Sequence, residues 1–262
     1  MPHSSVYDGQ LHYVEVGSGM PLLLVHGFPL DHTMWQGQID GLADCCRVIA
    51  PDLRGFGQSS VTPGLVTMQR MADDLAELLS GIGIEEPVVF CGLSMGGYVA
   101  WQFAARHRAR LARLILCDTR AVADSTEAAA GRNALADRVR KEGPAFVAES
   151  MLPKLFAPAT IEAAAPCVEQ TRQVILRADP QGIAAASRGM AQRPDVSEKL
   201  SQLDLPALLV CGQHDAISPA SEMREIAAKM PRAAFVVIPA AGHMAPLERS
   251  EPVNVAIREF LR

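Results

Sequence analysis

The sequence predicts a single α/β domain, in which a mostly parallel β-sheet is covered by helices on both faces. Short apolar segments of strand length alternate with helical segments over most of the 262 residues, and 49% of the residues are hydrophobic, which is enough to bury a large core. Parallel strands need crossover connections, which are usually helices. We therefore expect the functional site at the carboxyl ends of the strands.

The first 120 residues contain most of this alternation. A partly alternating segment at 11–16 is followed by Gly17-Ser-Gly19 and by the apolar run 22–25, which indicates a hairpin that leads into a buried strand. Further strands are predicted at 47–50, 88–91 and 114–117, and helices at 67–79 and in the residues that lead up to His107.

The pattern changes between residues 121 and 195. This stretch is rich in Ala, Glu and Arg, is broken by several prolines and contains no strand pattern. We predict three or four helices that form a cap over the functional edge of the sheet. Residues 1–120 and 196–262 would form the α/β core, with strands at 207–211 and 234–238 and helices at 219–229 and 252–261.

Composition and charge exclude several classes of partner. The net charge is −5 and 20% of the residues are charged, so nothing favours nucleic acid or an anionic membrane surface. No window reaches eighteen apolar residues, and the first residues lack the pattern of a secretory signal. We expect a cytoplasmic protein with a small-molecule partner, either a monomer or a homo-oligomer.

The six cysteines do not have the spacing of a metal site. Cys91, Cys117 and Cys211 each end an apolar run, which indicates buried thiols in separate strands. There is no CxxC motif and no His/Cys cluster with zinc spacing. We therefore expect a reduced chain that needs neither a metal nor a cofactor.

The segment Gly92-Leu-Ser-Met-Gly96 fits the pattern G-x-S-x-G, between a predicted strand and a predicted helix. Glycines at these positions allow a sharp strand-to-helix turn, which exposes the serine hydroxyl at the N-terminus of a helix. An N-cap serine is the alternative interpretation, but a cap does not need glycine two residues away on both sides. Ser94 is therefore the predicted nucleophile.

A serine nucleophile needs a general base and a residue that orients the base. Asp215 comes four residues after the apolar run that ends at Cys211, and His243 comes five residues after Ile238. The order Ser, acid, His is the order of one known class of triad. We predict that Asp215 and His243 complete a triad with Ser94.

Other acidic and histidine residues are candidates for the same roles. Asp118 directly follows the strand at 114–117 and is the main competitor for the acid, with a helix cap as its structural alternative; His214 is the nearest competitor for the base. Asp52 is expected to hold its loop together through Arg54. His3, His12 and His107 are expected at the surface, and His32 in a structural polar role.

Acyl transfer also requires hydrogen-bond donors for the tetrahedral oxyanion. The backbone N–H of Met95, the residue after the nucleophile, is one predicted donor. The second donor should come from His26-Gly-Phe-Pro29, which follows an early strand, and since proline has no N–H we assign it to Phe28. An apolar substrate pocket is predicted from Trp35, Met151, Leu152 and Met244.

With these residues in place, the chain resembles the α/β-hydrolase superfamily along nearly its full length. The resemblance is carried by His26-Gly-Phe-Pro29, Asp52-Leu-Arg-Gly-Phe-Gly-Gln-Ser59, Gly92-Leu-Ser-Met-Gly-Gly97, Gly212-Gln-His-Asp215 and Gly242-His243. It implies the α/β-hydrolase fold, with an eight-stranded sheet. Within the superfamily the chain looks most like small carboxylesterases and 3-oxoadipate enol-lactonases, through Met34-Trp35 and Gly57-Gln-Ser-Ser-Val-Thr-Pro63.

The resemblance also indicates which function to expect first and which alternatives to keep. The His26-Gly27 pair is typical of general esterases rather than of the lactonases, so we expect a carboxylic ester hydrolase with a preference for short acyl chains. Enol-lactone hydrolysis and C–C bond hydrolysis are the alternatives within the superfamily. A serine at the elbow is unlike the aspartate of haloalkane dehalogenases and epoxide hydrolases. From a different class, a small-molecule receptor built on a hydrolase fold is also considered.

Overall fold

The computed structural model describes residues 2–262, which form one eight-stranded sheet. The strands are β1 His3–Val6, β2 Gly9–Gly17, β3 Met20–Val25, β4 Cys46–Pro51, β5 Val88–Leu93, β6 Leu111–Cys117, β7 Ala207–Gly212 and β8 Ala233–Ile238. Their order in the sheet is β1-β2-β4-β3-β5-β6-β7-β8. β2 is antiparallel to β1 and to β4, and the other neighbours are parallel, which confirms the mostly parallel sheet.

Helices cover both faces of this sheet. Every residue of β5 and of β7 is buried, and because successive side chains of a strand point to opposite faces, neither face of these strands is open to solvent. In the α/β core the helices are α1 Gln36–Leu42, α2 Met68–Gly81, α3 Met95–Arg106, α9 Ala220–Lys229, α10 Ala245–Glu248 and α11 Ser250–Leu261. Between residues 2 and 262 we find no helix with the length and apolar character of a membrane span.

The predicted hairpin between residues 11–16 and 22–25 is wrong. β4 lies between β2 and β3 in the sheet, and the hairpin that forms joins β1 to β2, with Val6 opposite Gly9. β3 is instead a central strand, parallel to both β4 and β5. Its leucines are fully buried, which requires a neighbouring strand on both sides. The short connection between β2 and β3 in sequence does not show which strands those neighbours are.

The stretch from 121 to 195 is helical, as expected, but it contains five helices rather than three or four. They are α4 Thr126–Glu142, α5 Ala145–Leu155, α6 Pro158–Glu162, α7 Pro166–Arg177 and α8 Pro180–Ala191. The shortest of them is α6, which begins directly at a proline. We refer to residues 121–195 as the cap segment. The N–H of Met244 donates to the carbonyl of Leu155 at 3.0 Å, and that of Val66 donates to the carbonyl of Ala185 at 3.2 Å. These hydrogen bonds are two of the contacts between the cap segment and the rest of the chain.

Asp52 does not pair with Arg54, contrary to the sequence prediction. Its two carboxylate oxygens contact Nδ1 of His12 at 2.8 Å and Nδ1 of His32 at 2.7 Å, and they also accept the backbone N–H of His32 and of Gln58. His12 is fully buried rather than exposed, because β1, β4 and the loop after β4 enclose it. His32 has the predicted structural role.

Arg54 pairs with a helix residue instead. Its Nε and Nη2 donate to the two oxygens of Asp74 on α2, at 2.7 and 2.8 Å, and both side chains are buried. This two-point ion pair ties the loop after β4 to α2. Since a buried charge is tolerated only with a partner, the loop and the helix are held in a fixed register.

Candidate active site

Ser94 lies at the sharp turn between β5 and α3. Its backbone has φ 52° and ψ −109°, outside the regions that residues other than glycine normally adopt. Conformations of this kind cost about 1–3 kcal/mol and persist only where the surrounding structure imposes them. Ser94 is the one residue between positions 88 and 104 that is only partly buried, so the turn presents its side chain to solvent.

The glycines on both sides of Ser94 make this turn possible. A Cβ on Gly92 would overlap the carbonyl oxygen of Gly96, and a Cβ on Gly96 would overlap the carbonyl oxygen of Val25. The start of α3 can therefore approach β3 and β5 only without side chains at these positions. The turn is held from the β6 side as well, because Oγ1 of Thr119 donates to the carbonyl of Ser94 at 2.7 Å.

Asp215 and His243 come together at the carboxyl ends of β7 and β8. Nδ1 of His243 lies 3.0 Å from Oδ1 and 2.9 Å from Oδ2 of Asp215, and both side chains are almost completely buried. The Oδ1 atom also accepts the backbone N–H groups of Ile217 and Ser218, at 2.7 and 2.9 Å. His214, the competing histidine, is exposed.

These hydrogen bonds keep Asp215 ionised. Burial acts to raise its pKa, but the hydrogen bond and the charge of His243, together with the N–H groups of Ser218 and Ile217, outweigh burial and lower the pKa below its usual range. An ionised carboxylate can only accept hydrogen bonds, so the proton on His243 resides on Nδ1. Its Nε2 atom is then free to act as a base.

Ser94 Oγ and His243 Nε2 are not joined by a hydrogen bond in the described part of the chain. Catalytic hydrogen bonds often reach working length only in the complex with substrate. The two residues nevertheless share one edge of the sheet, since Ser94 follows β5 and His243 follows β8, and the strands between them, β6 and β7, run parallel.

The two predicted oxyanion donors lie beside Ser94. The N–H of Met95 is at the first position of α3, where a helix offers no acceptor of its own. In residues 2–262 neither this N–H nor that of Phe28 donates to another group. A Cβ on Gly27, next to Phe28, would lie 3.5 Å from Cβ of Ser94, so the loop after β3 closely approaches the elbow.

His26 fixes the loop that carries Phe28. Its Nδ1 lies 2.9 Å from the carbonyl oxygen of Gly27, and its Nε2 accepts the N–H of Leu53 at 2.9 Å. Burial lowers the pKa of this fully enclosed histidine, so it is neutral, with its proton on Nδ1. The sequence motif places His26 in the predicted oxyanion loop but does not predict that it fixes the loop, because its partner Leu53 lies 27 residues away.

Glu248 is a second residue that the sequence analysis missed. Its Oε1 accepts the N–H of Ala157 at 3.0 Å and the hydroxyl of Thr160, and its Oε2 accepts the N–H of Gly242. One carboxylate therefore connects the cap segment with the residue directly before His243. No local motif signals this role, since two of its partners are about ninety residues away.

Asp118, the predicted competitor for the acid, lies next to the Asp215–His243 pair. One side-chain oxygen or nitrogen from each of these three residues lies within 4.8 Å of the other two. Asp118 does not cap a following helix. Its Oδ1 accepts the N–H of Gly212 at 2.7 Å, which links the ends of β6 and β7.

The four residues predicted to line a substrate pocket lie in or near the core. Trp35 and Met244 are fully buried, Leu152 is buried and Met151 is partly buried. None of them lines the cavity of about 580 Å³ between α7 and the loop after β3, or the neighbouring cavity of about 250 Å³. Neither cavity is lined by Ser94, Asp215 or His243. The larger cavity is linked to the site indirectly, through its lining residue Met34, whose Sδ accepts the N–H of Gly27 at 3.5 Å.

Two side-chain clusters contain the atoms that a metal ion prefers. One is His12, His32 and Asp52, and the other is Asp118, Asp215 and His243. In both clusters histidine Nδ1 atoms hydrogen-bond directly to a carboxylate, at 2.7–3.0 Å. The carboxylates of Asp52 and Asp215 therefore already accept hydrogen bonds from histidine N–H groups, as in a hydrogen-bonded cluster.

Several known proteins are similar to this chain in sequence or in fold. A thermophilic esterase from Thermogutta terrifontis, solved with malate bound, is 52% identical, covers 99% of this chain and 96% of its own, and superimposes with a TM-score of 0.96. The dihydrolipoyllysine-residue acetyltransferase component of an acetoin cleaving system from Pseudomonas putida is 34% identical over 100% of this chain and 69% of its own. The 3-oxoadipate enol-lactonase 1 of Acinetobacter baylyi is 30% identical over 84% of this chain and 80% of its own.

The predicted fold class and family resemblance are confirmed. The family model described as alpha/beta hydrolase fold matches residues 20–250, which include the elbow and the loops after β7 and β8. The chain belongs to the α/β-hydrolase family.

Proposed function

We propose that this protein hydrolyses carboxylic esters with short acyl chains through an acyl-enzyme intermediate. Ser94 is the nucleophile, His243 the general base and acid, and Asp215 the residue that orients His243. The backbone N–H groups of Phe28 and Met95 stabilise the oxyanion. The observation that carries this proposal is the strained, partly exposed Ser94 on the same sheet edge as the hydrogen-bonded Asp215–His243 pair.

The first half of the reaction forms the acyl-enzyme. Nε2 of His243 takes the proton of the Ser94 hydroxyl as Oγ attacks the ester carbonyl, and the carbonyl oxygen becomes an oxyanion held by two N–H groups. The C–O bond to the alcohol then breaks, and His243 gives its proton to the leaving oxygen. Asp215 stabilises the imidazolium that exists between these two transfers.

The second half repeats the same chemistry with water. His243 removes a proton from water, the resulting hydroxide attacks the acyl carbonyl, and the bond from the carbonyl carbon to Oγ breaks with return of the proton to Ser94. The product is a carboxylic acid. Every proton is carried by protein groups or water, so the residues described above suffice for the reaction.

The cap segment, residues 121–195, is proposed to set acyl and alcohol selectivity, with residues 1–120 and 196–262 as the catalytic core of a single domain. It follows β6 and returns to β7, so it emerges at the edge where Ser94 lies. Hydrogen bonds from Met244 to Leu155 and from Ala157 to Glu248 hold it beside the His243 loop.

Lactone hydrolysis is a second candidate from the same site. The 30% identity to 3-oxoadipate enol-lactonase 1 favours it, and a lactone is a cyclic ester whose alcohol stays attached to the acyl group. A direct assay of the enol-lactone against a panel of simple esters separates the two substrates. The receptor function would instead give tight small-molecule binding with no turnover of either class.

The test is Ser94→Ala in purified protein, assayed with p-nitrophenyl acetate and butyrate. We expect kcat to fall by at least about 10³-fold, because binding and the oxyanion donors alone leave only residual activity. Ser201→Ala, at an exposed serine far along the chain from the elbow, is the matched control and should keep its activity. Near-normal hydrolysis by Ser94→Ala would refute the proposed function.

A further inference from the structure

Asp118 is a fully buried acid whose environment the proposed reaction does not explain. It follows β6 directly, and its φ of 47° is left-handed, a conformation that aspartate and asparagine adopt more readily than most residues. Oδ1 accepts the N–H of Gly212. Oδ2 is buried and has no hydrogen-bond donor among residues 2–262.

A bare carboxylate in this position would be strongly unfavourable. The ionised Asp215 lies within 4.8 Å, and no arginine or lysine of the described residues forms an ion pair with Asp118. Two negative charges at this separation, away from water, repel each other, so the second carboxyl group retains its proton. A protonated Oδ2 is a donor, and the neighbouring carboxylate of Asp215 is an acceptor.

The other titratable groups that face Asp118 do not change this conclusion. They are His243 from the loop after β8, Cys117 on β6 and Cys211 on β7. A hydrogen bond with Cys91, followed by burial, raises the pKa of Cys117, and burial raises the pKa of Cys211, so both thiols are neutral. Burial, followed by the charge of Asp215, likewise raises the pKa of Asp118 well above its usual range.

We propose that Asp118 is a permanently protonated positioning residue, which donates a hydrogen bond from Oδ2 to the carboxylate of Asp215 and holds it against Nδ1 of His243. This role rests on the proposed function of the triad. Asp118 itself does not touch the substrate. Its proton completes a chain of donors around Asp215, together with Ile217, Ser218 and His243.

The protonation state can be measured without any assay of activity. Infrared difference spectra of wild type minus Asp118→Asn at pH 7, with ¹³C-labelled aspartate to assign the bands, should contain the C=O band of a carboxylic acid. Asparagine tolerates the positive φ and its amide can also donate, so this variant preserves the fold. A spectrum that shows only a lost carboxylate band would overturn the proposal.

The fall of kcat/KM at acidic pH, the acid limb of its pH profile, provides a second test of the charge on Asp118. If Asp118 is neutral, Asp118→Asn removes no charge, and the apparent pKa of this limb should agree with wild type within about 0.3 unit. If Asp118 were ionised, its removal beside His243 would lower that pKa by about one unit or more. The second result would overturn the proposal even in a fully active variant.

The positioning role is tested by Asp118→Leu, which has a similar shape and no donor. We expect its kcat to be at least about tenfold below that of Asp118→Asn, because a hydrogen bond to a charged group is strong enough for such an effect. Equal kcat values in two folded variants would overturn the role. If the leucine variant does not fold, the infrared spectra and the acid limb of the Asp118→Asn variant still decide whether Asp118 is protonated, on which the proposal depends. Since the infrared test does not depend on turnover, it separates failure of this proposal from failure of the triad.

Discussion

The imidazole of His243 shares one N–H between both carboxylate oxygens of Asp215, at 3.0 and 2.9 Å. This two-point contact fixes the plane of the ring as well as its tautomer. The same carboxylate is held by two backbone N–H groups, so it cannot turn away without losing them. The orientation of the proposed base is therefore determined by the loop after β7.

Asp215→Asn should lower kcat for p-nitrophenyl butyrate by about 10³- to 10⁴-fold, because an amide does not hold the imidazole in the required tautomer or stabilise its cation. Steady-state kinetics at pH 7 measures this, with thermal unfolding to verify the fold. His214→Asn, at the exposed neighbouring position, is the control. Retention of a tenth of the wild-type kcat would speak against Asp215 as the acid.

Glu248→Gln should impair both stability and turnover. All three partners of the carboxylate, namely Ala157 N–H, Thr160 Oγ and Gly242 N–H, act as donors, so the amide nitrogen of glutamine must face a donor. We expect the free energy of unfolding to fall by about 1.5–3 kcal/mol. Because Gly242 precedes His243, kcat should also fall.

The matched control for Glu248→Gln is Glu251→Gln, an exposed position in the first turn of α11. A surface change of this kind should alter the free energy of unfolding by no more than about 0.5 kcal/mol. Urea denaturation of the two variants measures the difference. Equal stability of both would show that the contact between the cap segment and the His243 loop is not energetically important.

Asp52→Asn should change the response of the fold to acid. Burial opposes ionisation of Asp52, but the hydrogen bond and charge of His32 and two backbone N–H groups lower its pKa in the folded state. A lowered pKa contributes stability above the unfolded value of about 3.9, and this contribution is lost as the pH falls. The variant should lose about 3–5 kcal/mol at pH 7, and its difference from wild type should shrink between about pH 5 and pH 3.

The two histidines of this cluster act in opposite directions. Burial lowers the pKa of His12, so protonation of this residue also destabilises the fold as the pH falls. For His32 burial is outweighed by the hydrogen bond and charge of Asp52, which raise the pKa, so its contribution is present in acid and lost as the pH rises. Urea denaturation of wild type and Asp52→Asn from pH 3 to 7 measures the pH dependence of their difference in stability, with the exposed Asp204→Asn as control. If that difference stays constant across the range, Asp52 does not have a lowered pKa in the folded state.

Gly96→Ala should disrupt the elbow. Its Cβ would overlap the carbonyl oxygen of Val25, so α3 must move away from β3 and carry the Met95 N–H with it. Overpacking of this kind costs about 1–3 kcal/mol, and we expect kcat to fall by at least about tenfold. Gly131→Ala, in an exposed part of α4 with open space around the new Cβ, should instead raise stability by up to about 1 kcal/mol. Equal stability and equal kcat of the two variants would contradict the proposed need for glycine at position 96.

The parts of the site that a local pattern specifies could be predicted from sequence. The elbow around Ser94 needs its glycines within five residues, and Asp215 and His243 each follow an apolar strand at short range. The parallel sheet was predictable for the same reason, because strand and helix alternate along the chain. Polar residues directly after buried strands meet at one edge whatever the details of packing.

What sequence reasoning could not supply depends on contacts between distant residues. The position of β4 between β2 and β3, the burial of His12 and the pairing of Arg54 with Asp74 all follow from which strands become neighbours, and hydrophobic periodicity does not encode that choice. Glu248 escaped notice because nothing near it in sequence resembles a motif. Its partners become visible only in three dimensions.

The attachment of the cap segment to the His243 loop has a practical consequence for engineering. Near the C-terminal end of the segment Ala185 accepts a hydrogen bond from Val66, and near its middle Glu248 and Met244 bind residues 155–160. A cap exchanged with that of another hydrolase to alter substrate range would therefore remove the acceptor and donors that steady the loop of the proposed base. Such chimaeras should retain Leu155 to Thr160 as part of the recipient, so that selectivity can be redesigned without loosening the proposed catalytic histidine.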